Sequence, residues 1–208
     1  MSEAPRAQAR TLASRAKVLA AAERLMRADP SSSFSMRELA AEAGVSFATP
    51  FNLFGSKAAI ARALSVARIE QMTERVRDRP LGGDAIERLL QAVGVAAGLL
   101  LEEPVLNRAM MAALGGWTEE PGDVRARSRA LWALALGDGD GLDPSLRTSA
   151  VQRLPDQVAL VFRGCLSFWV AGEITDDDLP GEANAAVAMA VAAFAAPDRR
   201  ATLLAKAR

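Results

Sequence analysis

Apolar residues recur at the spacing of an α-helix along almost the whole chain, and this spacing is the feature that most restricts the fold. In the first such stretch Val18, Ala22 and Leu25 form one stripe, with Leu19 and Met26 beside it. We find no convincing run with strand alternation, and the richness in Ala, Leu and Arg favours helices. We therefore predict an all-α protein whose 208 residues suffice for one large domain or two smaller ones.

Local signals mark where the predicted helices begin and end. Ser35 and Glu38 have the S-x-x-E spacing of a capping box, and Asp84 and Glu87 form its acidic analogue. Proline and glycine clusters separate the helices because proline cannot continue a helix and glycine favours turns. The predicted helices cover residues 8–28, 35–43, a short segment ending near 54, 57–79, 84–103, 104–114, 121–136, 143–153, 156–172, 181–196 and a C-terminal segment from 197.

The residue types present exclude most catalytic chemistry. The sequence contains no histidine, which removes Ser-His-Asp and Cys-His nucleophiles and nearly all zinc sites. Its single cysteine, Cys165, excludes an internal disulfide and any multi-thiolate metal site. Cys165 lies in an apolar helical run, so we interpret it as a buried, inert thiol, with a redox sensor as the alternative. The acidic segments 138–143 and 176–178 lack the ligand order of a calcium loop. We expect no enzyme, no metal site and no cofactor.

Charge is balanced over the chain but not along it. The 25 basic and 25 acidic residues cancel, yet residues 1–60 carry a net charge of +3 and the remainder a net charge of −3. This asymmetry suggests that the N-terminal part binds a polyanion. Arg6, Arg10 and Arg15 of the first helix are interpreted as a solvated face, and an arm over phosphates is the alternative.

The apolar segments do not indicate a membrane protein. No stretch of about 18 apolar residues lacks charges, so we expect no membrane-spanning helix. The Ala-rich segment 183–196 contains no Lys or Arg, which argues against binding at a membrane surface. The polar N-terminus shows no apolar core of a signal peptide, and we expect a cytoplasmic protein.

Residues 34–57 carry the most specific pattern in the chain. Two short helices are predicted to meet across the turn 43–46, with Leu39 and Ala40 facing inward and Val45 filling the turn. This is the arrangement of a helix-turn-helix, whose second helix enters the DNA major groove. The alternative interpretation is a plain αα-hairpin that does not bind DNA.

These residues resemble the DNA-binding signature of the TetR family of transcriptional regulators. The signature reads approximately hydrophobic-x-x-R-x-LA-x-x-AGVS-x-x-T-x-aromatic-x-x-F-x-x-K, and the chain matches it in order and without gaps. The resemblance is close over about residues 11–64 and weak beyond them, apart from the segments 168–169 and 172–174. The matching residues are Phe34, Arg37, Leu39, Ala40, Ala43, Gly44, Val45, Ser46, Thr49, Phe51, Phe54 and Lys57.

The resemblance implies an architecture and a function. It implies a three-helix DNA-binding head in residues 1–55 and a larger helical body in residues 56–208, joined by a connecting helix at 56–79. TetR-like proteins are homodimers that bind palindromic operators in double-stranded DNA, and their variable body binds a small molecule. The expected function is therefore that of a repressor released from its operator by an effector. The alternative is a DNA-tethered helical module that binds a protein partner without a small-molecule switch.

The same resemblance, together with the chemistry of helix ends, predicts which residues contact DNA. Free N–H groups at the two helix N-termini can contact phosphates, Lys57 is positioned to hold the backbone, and Asn52 suits an adenine edge. The predicted DNA-binding residues are Ser35, Arg37, Ser46, Phe47, Ala48, Thr49, Asn52, Leu53 and Lys57.

Two positions depart from the family pattern. Phe51 stands where tyrosine is usual, so it loses a hydroxyl contact to phosphate and is assigned a structural role. Pro50 lies inside the second helix, at its fourth position if Ser46 is the N-cap or at its first if Thr49 is. We predict a locally tight or late start of this helix.

The body gives weaker signals. A small apolar or amphipathic effector is expected, and the candidate pocket residues are Asn107, Met110, Met111, Trp117, Trp132, Phe162 and Arg163. Aromatic and Met residues on helices are more often ordinary core, and Arg163 could instead extend to water. Dimerisation is expected through the segments 156–172 and 183–196, because small residues permit close helix approach and the family resemblance implies a four-helix bundle.

Overall fold

The structure is a computed structural model that describes residues 3–29, 34–114 and 122–206. Within these ranges the chain is helical, and the only extended pairing is an isolated bridge between Leu142 and Ala195. The all-α prediction is therefore confirmed. The helices are α1 (Glu3–Ala28), α2 (Met36–Glu42), α3 (Ala48–Phe54), α4 (Lys57–Asp78), α5 (Ala85–Leu101), α6 (Pro104–Ala112), α7 (Val124–Leu136), α8 (Arg147–Ala171), α9 (Leu179–Ala192) and α10 (Pro197–Lys206).

The chain forms two compact units. The first takes its residues from Met1–Ser65 and Val105–Gly122, and the second from Val66–Pro104 and Asp123–Arg208. Helix α4 contributes residues to both units. The functional division at residue 55, between a DNA-binding head and a ligand-binding body, stays a prediction.

In the first unit, α1, α2 and α3 pack against one another in pairs. Val18, Ala22 and Met26 of α1 are buried, as are Leu39 and Ala40 of α2. The inward positions of Leu39 and Ala40 are thus confirmed.

Helix α2 begins at the predicted capping box. The Ser35 hydroxyl accepts a hydrogen bond from the Glu38 backbone N–H (3.1 Å), and the Ser35 N–H donates to the Glu38 carboxylate (2.6 Å). This reciprocal pair satisfies two backbone donors at the end of a helix of only seven residues.

In the second unit, α9 packs against α5, α8 and α10, and α7 packs against α5 and α8. Two tryptophans lie fully inside. The Trp132 indole donates to Ser128 (3.1 Å) and the Trp169 indole donates to Asp176 (2.8 Å), so neither buried N–H lacks an acceptor.

The helix boundaries of α8 differ from the prediction. Two helices were expected at 143–153 and 156–172, but one helix runs from Arg147 to Ala171 with Pro155 inside it. Proline removes one helical hydrogen bond and typically costs about 3 kcal/mol in a helix interior. Pro155 is buried together with Leu154 and Val158, so tertiary packing stabilises the continuous helix.

The start of α8 differs for a local reason. The Asp143 carboxylate accepts from the Ser145 backbone N–H (2.9 Å) and closes a turn instead of capping a helix. The turn delays the start of α8 to Arg147. Helix α7 likewise begins at Val124, later than the expected Pro121, which lies outside the described residues.

Arg88 of α5 ties several chain segments of the second unit together. Its guanidinium donates to the carbonyls of Ala135 (3.3 Å) and Leu136 (3.2 Å), the last residues of α7, and to the Gly83 carbonyl (2.9 Å). It also forms a two-pronged ion pair with Asp140, with separations of 2.5 and 3.2 Å. This contact lowers the pKa of the Asp140 carboxyl and raises the pKa of Arg88. One half-buried cation therefore binds the end of α7, the loop after it and the start of α5.

No single helix in the described ranges is long and apolar enough to span a membrane. Helices α5 and α6 pass that test only when they are taken together. Helix α5 is an ordinary core helix by burial, since nine of its residues are buried in the chain itself.

We expect Arg88→Met to lower the free energy of unfolding by about 2 kcal/mol or more, because carbonyls at the end of α7 and a carboxylate lose a charged donor. Urea denaturation followed by circular dichroism measures this change. Arg125→Met is the control: Arg125 forms an exposed ion pair with Asp156 (3.2 Å), and its loss should cost less than about 1 kcal/mol. Equal effects of the two substitutions would contradict the assignment.

Candidate nucleic-acid interface

The turn between α2 and α3 is closed by backbone hydrogen bonds. The Val45 N–H donates to the Ala40 carbonyl (3.0 Å) and the Gly44 N–H donates to the Ala41 carbonyl (3.1 Å). Gly44 has φ of 63°, a left-handed conformation that costs glycine little. The turn therefore ends α2 sharply and starts α3 within a few residues, as the helix-turn-helix pattern predicts.

Helix α3 has a tight and late start. It begins at Ala48, and its N-cap Phe47 makes no side-chain capping bond. The Thr49 N–H donates to the Ser46 carbonyl (2.9 Å), and the hydroxyls of Ser46 and Thr49 lie 2.8 Å apart. Pro50 is the third residue of the helix and is buried. The first N–H groups of a helix have no intrahelical acceptor, so proline at this position loses no helical hydrogen bond.

The C-terminal end of α3 is held by Arg15 of α1. The Arg15 guanidinium donates to the Leu53 carbonyl (2.8 Å) and lies 4.3 Å from the centre of the Phe54 ring. Gly55, with φ of 76°, completes the cap by donating to the Phe51 carbonyl (2.8 Å). Arg15 is therefore a positioning residue for α3. These contacts agree neither with the solvated helix face nor with the phosphate-binding arm that the sequence suggested for this side chain.

The exposed face of α3 is largely apolar. The side chains of Phe47 and Phe51 are 55% and 43% exposed, and their ring centroids lie 5.7 Å apart in an edge-to-face arrangement. The structural role expected for Phe51 stays a prediction: its ring is partly exposed, and the buried member of this segment is Pro50. The repeated aromatic spacing was visible in the sequence, but the direction of each ring depends on the packing of α3.

Basic side chains lie next to aromatic rings in the same unit. The Arg37 guanidinium is 5.6 Å from the centre of the Phe47 ring, and the Lys57 ammonium is 4.5 Å from the centre of the Phe34 ring. Such cation–π contacts restrict where the charges can point. The hydrogen bonds from Ser35, with a smaller effect of the Lys57 charge, lower the pKa of Glu38.

All nine predicted DNA-binding residues belong to the first unit. Their exposure is compatible with a surface site. Six are exposed (Ser35, Arg37, Ser46, Phe47, Ala48 and Asn52) and three are half-buried (Thr49, Leu53 and Lys57).

The predicted effector-pocket residues are divided between the two units. Asn107, Met110 and Met111 are buried residues of the first unit. In the second unit Trp132 and Phe162 pack edge to face with centroids 5.2 Å apart. Arg163 is exposed, and Trp117 lies outside the described residues. The assignment of these residues to one pocket stays a prediction.

Cys165 is half-buried in α8. Burial raises the pKa of its thiol, which disfavours the reactive thiolate. Cys165 is thus less buried than expected, and the raised pKa of its thiol agrees with the interpretation of an inert thiol.

The second unit carries an open pocket of about 340 Å³ that the sequence did not indicate. Its lining includes Gly94 and Gly98 of α5, where an added Cβ would meet no atom within 4 Å. Arg75 and Glu102 form a two-pronged ion pair on its wall, which raises the pKa of Arg75 and lowers that of Glu102. None of the six predicted effector residues within the described ranges lines this pocket.

Large apolar side chains are exposed on α8 and α9. Leu160 and Phe168 are 51% and 54% exposed, and Met189 is 52% exposed. All three lie in the segments 156–172 and 183–196 that were expected to dimerise.

Comparisons with known proteins agree with the signature in residues 34–57. Residues 18–64 match the family described as bacterial regulatory proteins, tetR family. A TetR transcriptional regulator from Rhodococcus sp. RHA1 superimposes with a TM-score of 0.68 at 21% identity, covering 84% of this chain and 92% of that one. A protein assigned to the tetR family of transcription regulators from Shewanella sp. PV-4 superimposes with a TM-score of 0.58 at 18% identity, covering 88% and 98% of the two chains. A search of curated proteins found no match.

These matches define the class of protein: an all-α chain with an N-terminal helix-turn-helix and the fold of TetR transcription regulators. The predicted resemblance is confirmed: residues 18–64 match the tetR family, and the chain has the fold of solved TetR-type structures.

We expect Arg15→Met to lower the stability of the first unit by about 1–2 kcal/mol, because the Leu53 carbonyl loses a charged donor at the end of a short helix. Thermal unfolding measures this change. Arg10→Met is the matched control, since Arg10 is an exposed arginine of the same helix, and it should leave the midpoint unchanged. An unchanged midpoint in Arg15→Met would show that Arg15 does not support α3.

Proposed function

We propose that the protein is a homodimeric transcriptional repressor that binds a palindromic operator and is released by a small-molecule effector. The observation that carries this proposal is α3, a seven-residue helix held at its C-terminal end by Arg15 and presenting exposed side chains after a tight turn. The family match over residues 18–64 covers this segment.

In the proposed complex, α3 enters the major groove of double-stranded DNA and the flanking groups contact the backbone. Arg37 lies at the start of α2 and Lys57 at the start of α4, so both flank the turn and α3 in the chain. Arg37 is exposed and can reach a phosphate or a guanine edge, and Asn52 is an exposed amide suited to adenine. The net charge of +3 in residues 1–60 favours the approach of a polyanion, and salt should weaken the complex.

Dimerisation would place two copies of α3 on successive major grooves. The exposed side chains Leu160, Phe168 and Met189 support a contact through α8 and α9, because these two helices pack together and each exposes large apolar groups that an interface would bury.

The effector would act by shifting a population of conformations. A ligand that binds more tightly to the conformation with the wrong spacing of the two heads would reduce the fraction able to bind DNA. Helix α4 supplies a continuous segment of chain from the first unit to the second, which supports coupling along it. Action on DNA implies that the protein works in the cytoplasm.

We expect Arg37→Ala to weaken binding to the operator by about tenfold or more, the scale of one good contact to a base or phosphate. Fluorescence anisotropy over a salt series, on DNA from the upstream region of the protein's own gene and on DNA from an unbiased selection, measures this. Arg77→Ala, which removes an exposed arginine of the second unit, is the control and should bind like the wild type. If selection returned no preferred sequence, the proposed function would fail.

We expect Phe168→Arg to convert the dimer to a monomer, because a charge replaces an exposed apolar group of the proposed interface. Sedimentation velocity measures the change, and circular dichroism checks that the helices remain. Leu134→Arg is the control because Leu134 is an exposed apolar residue of α7, outside the proposed interface. A wild-type monomer, or a dimer that survives Phe168→Arg and Leu160→Arg, would contradict this interface.

A further inference from the structure

We propose that Phe47 and Phe51 read a thymine in each operator half-site through its C5-methyl group. This inference rests on the proposed function, since it assumes that α3 lies in the major groove. It adds the kind of base that the helix selects and the two side chains that select it.

The two rings form one apolar surface. Phe47 and Phe51 are four residues apart, so they lie on the same side of the helix start. Their ring centroids are 5.7 Å apart and both side chains are about half exposed. Ala48, which is also exposed, extends this surface. Single exposed apolar residues are common on soluble proteins, but a contacting aromatic pair on a short polar-flanked helix indicates a contact surface.

The chemistry of the rings limits what they can recognise in DNA. A phenyl ring neither donates nor accepts a conventional hydrogen bond. The base edges in the major groove carry donors and acceptors, and the one apolar group among them is the C5-methyl of thymine. Apolar contact with that methyl distinguishes thymine from the other three bases without any hydrogen bond.

Few polar groups in α3 and the turn before it remain available to contact bases, so apolar contacts would make up much of the base recognition. The hydroxyls of Ser46 and Thr49 lie 2.8 Å apart and already bond to each other. Arg37 lies over the Phe47 ring at 5.6 Å, which helps to fix that ring while leaving it 55% exposed. Asn52 is the remaining exposed amide in the helix. These groups fit an operator half-site that contains a thymine contacted by the rings and, at another position, an adenine contacted by Asn52.

The test removes the methyl group alone. After selection of the preferred operator, each thymine in one half-site is replaced in turn by uracil, which keeps the same base pairing and lacks only the C5-methyl. We expect wild-type affinity to fall roughly three- to tenfold at one or two positions, the scale for burying one methyl group. Phe47→Ala and Phe51→Ala should bind the thymine and uracil operators equally at the position that each ring contacts, and Phe47→Leu should keep part of the preference.

Leu12→Ala is the matched control for these variants. Leu12 is an exposed apolar residue of α1 in the same unit, with 61% of its surface accessible, and its truncation should leave the thymine-to-uracil ratio unchanged. Each variant is also titrated on the thymine operator to separate a general loss of affinity from a loss of discrimination.

The outcomes separate this inference from the proposed function. Sequence-specific binding with no sensitive thymine in the wild type, or with sensitivity that persists in both alanine variants, would overturn the thymine readout and leave the regulator proposal standing. Such a result would assign the aromatic pair to a protein contact or to structure. Absence of any preferred sequence would overturn both.

Discussion

The first unit depends on holding in place a helix that is too short to be stable alone. Helices below about 12 residues are marginal in water, and α3 has seven residues. Its start is set by the turn at Gly44 and the hydrogen bonds around Ser46, its middle by the buried ring of Pro50, and its end by Arg15 and Gly55. Because the helix is anchored at both ends, three of its side chains, those of Ala48, Phe51 and Asn52, can be exposed to solvent. The same anchoring produces the exposed aromatic pair.

In the second unit, side-chain contacts stabilise the ends of longer helices. The last carbonyls of α7 have no intrahelical donor, and Arg88 supplies one from α5. Asp84 caps α5 by accepting from the N–H groups of Ile86 and Glu87, both at 3.1 Å, and it also pairs with Arg199 of α10 at 2.8 Å. These contacts join α5, α7 and α10 at the ends of the helices, while their sides pack through apolar residues. Both units therefore use arginine to bind helix ends that the sequence separates widely.

Sequence reasoning succeeded where the determining interactions are local. The boxes at Ser35 and Asp84 involve residues three apart, so their spacing alone predicted two helix starts correctly. It failed at Pro155, where the packing of α8 outweighs the local cost of proline, and at Asp143, where a turn competes with a cap. The role of Arg15 in holding α3 could not be predicted either, because its acceptor, the Leu53 carbonyl, is 38 residues away in the sequence. Long-range contacts of this kind leave no periodic signal in one sequence.

The candidate site divides in the same way. The nine residues proposed to contact DNA lie on one short segment and its flanks, so a linear motif could collect them, and their exposure fits that assignment. The predicted pocket residues that the structure describes are spread over α6, α7 and α8, where no motif links them, and they belong to different units.

The composition of α3 also bears on how affinity and specificity are distributed. Phosphate contacts supply binding energy that depends little on sequence, whereas base contacts supply discrimination. In this chain the basic groups Arg37 and Lys57 precede and follow α3, and α3 itself contains no charged residue. Under the proposed function, the apolar base contacts of α3 therefore lie on a different element from the positive charges that flank it. If α3 lies in the major groove as proposed, substitutions within it would change which bases are preferred and leave the electrostatic attraction unchanged, whereas a substitution of Lys57 would change the attraction.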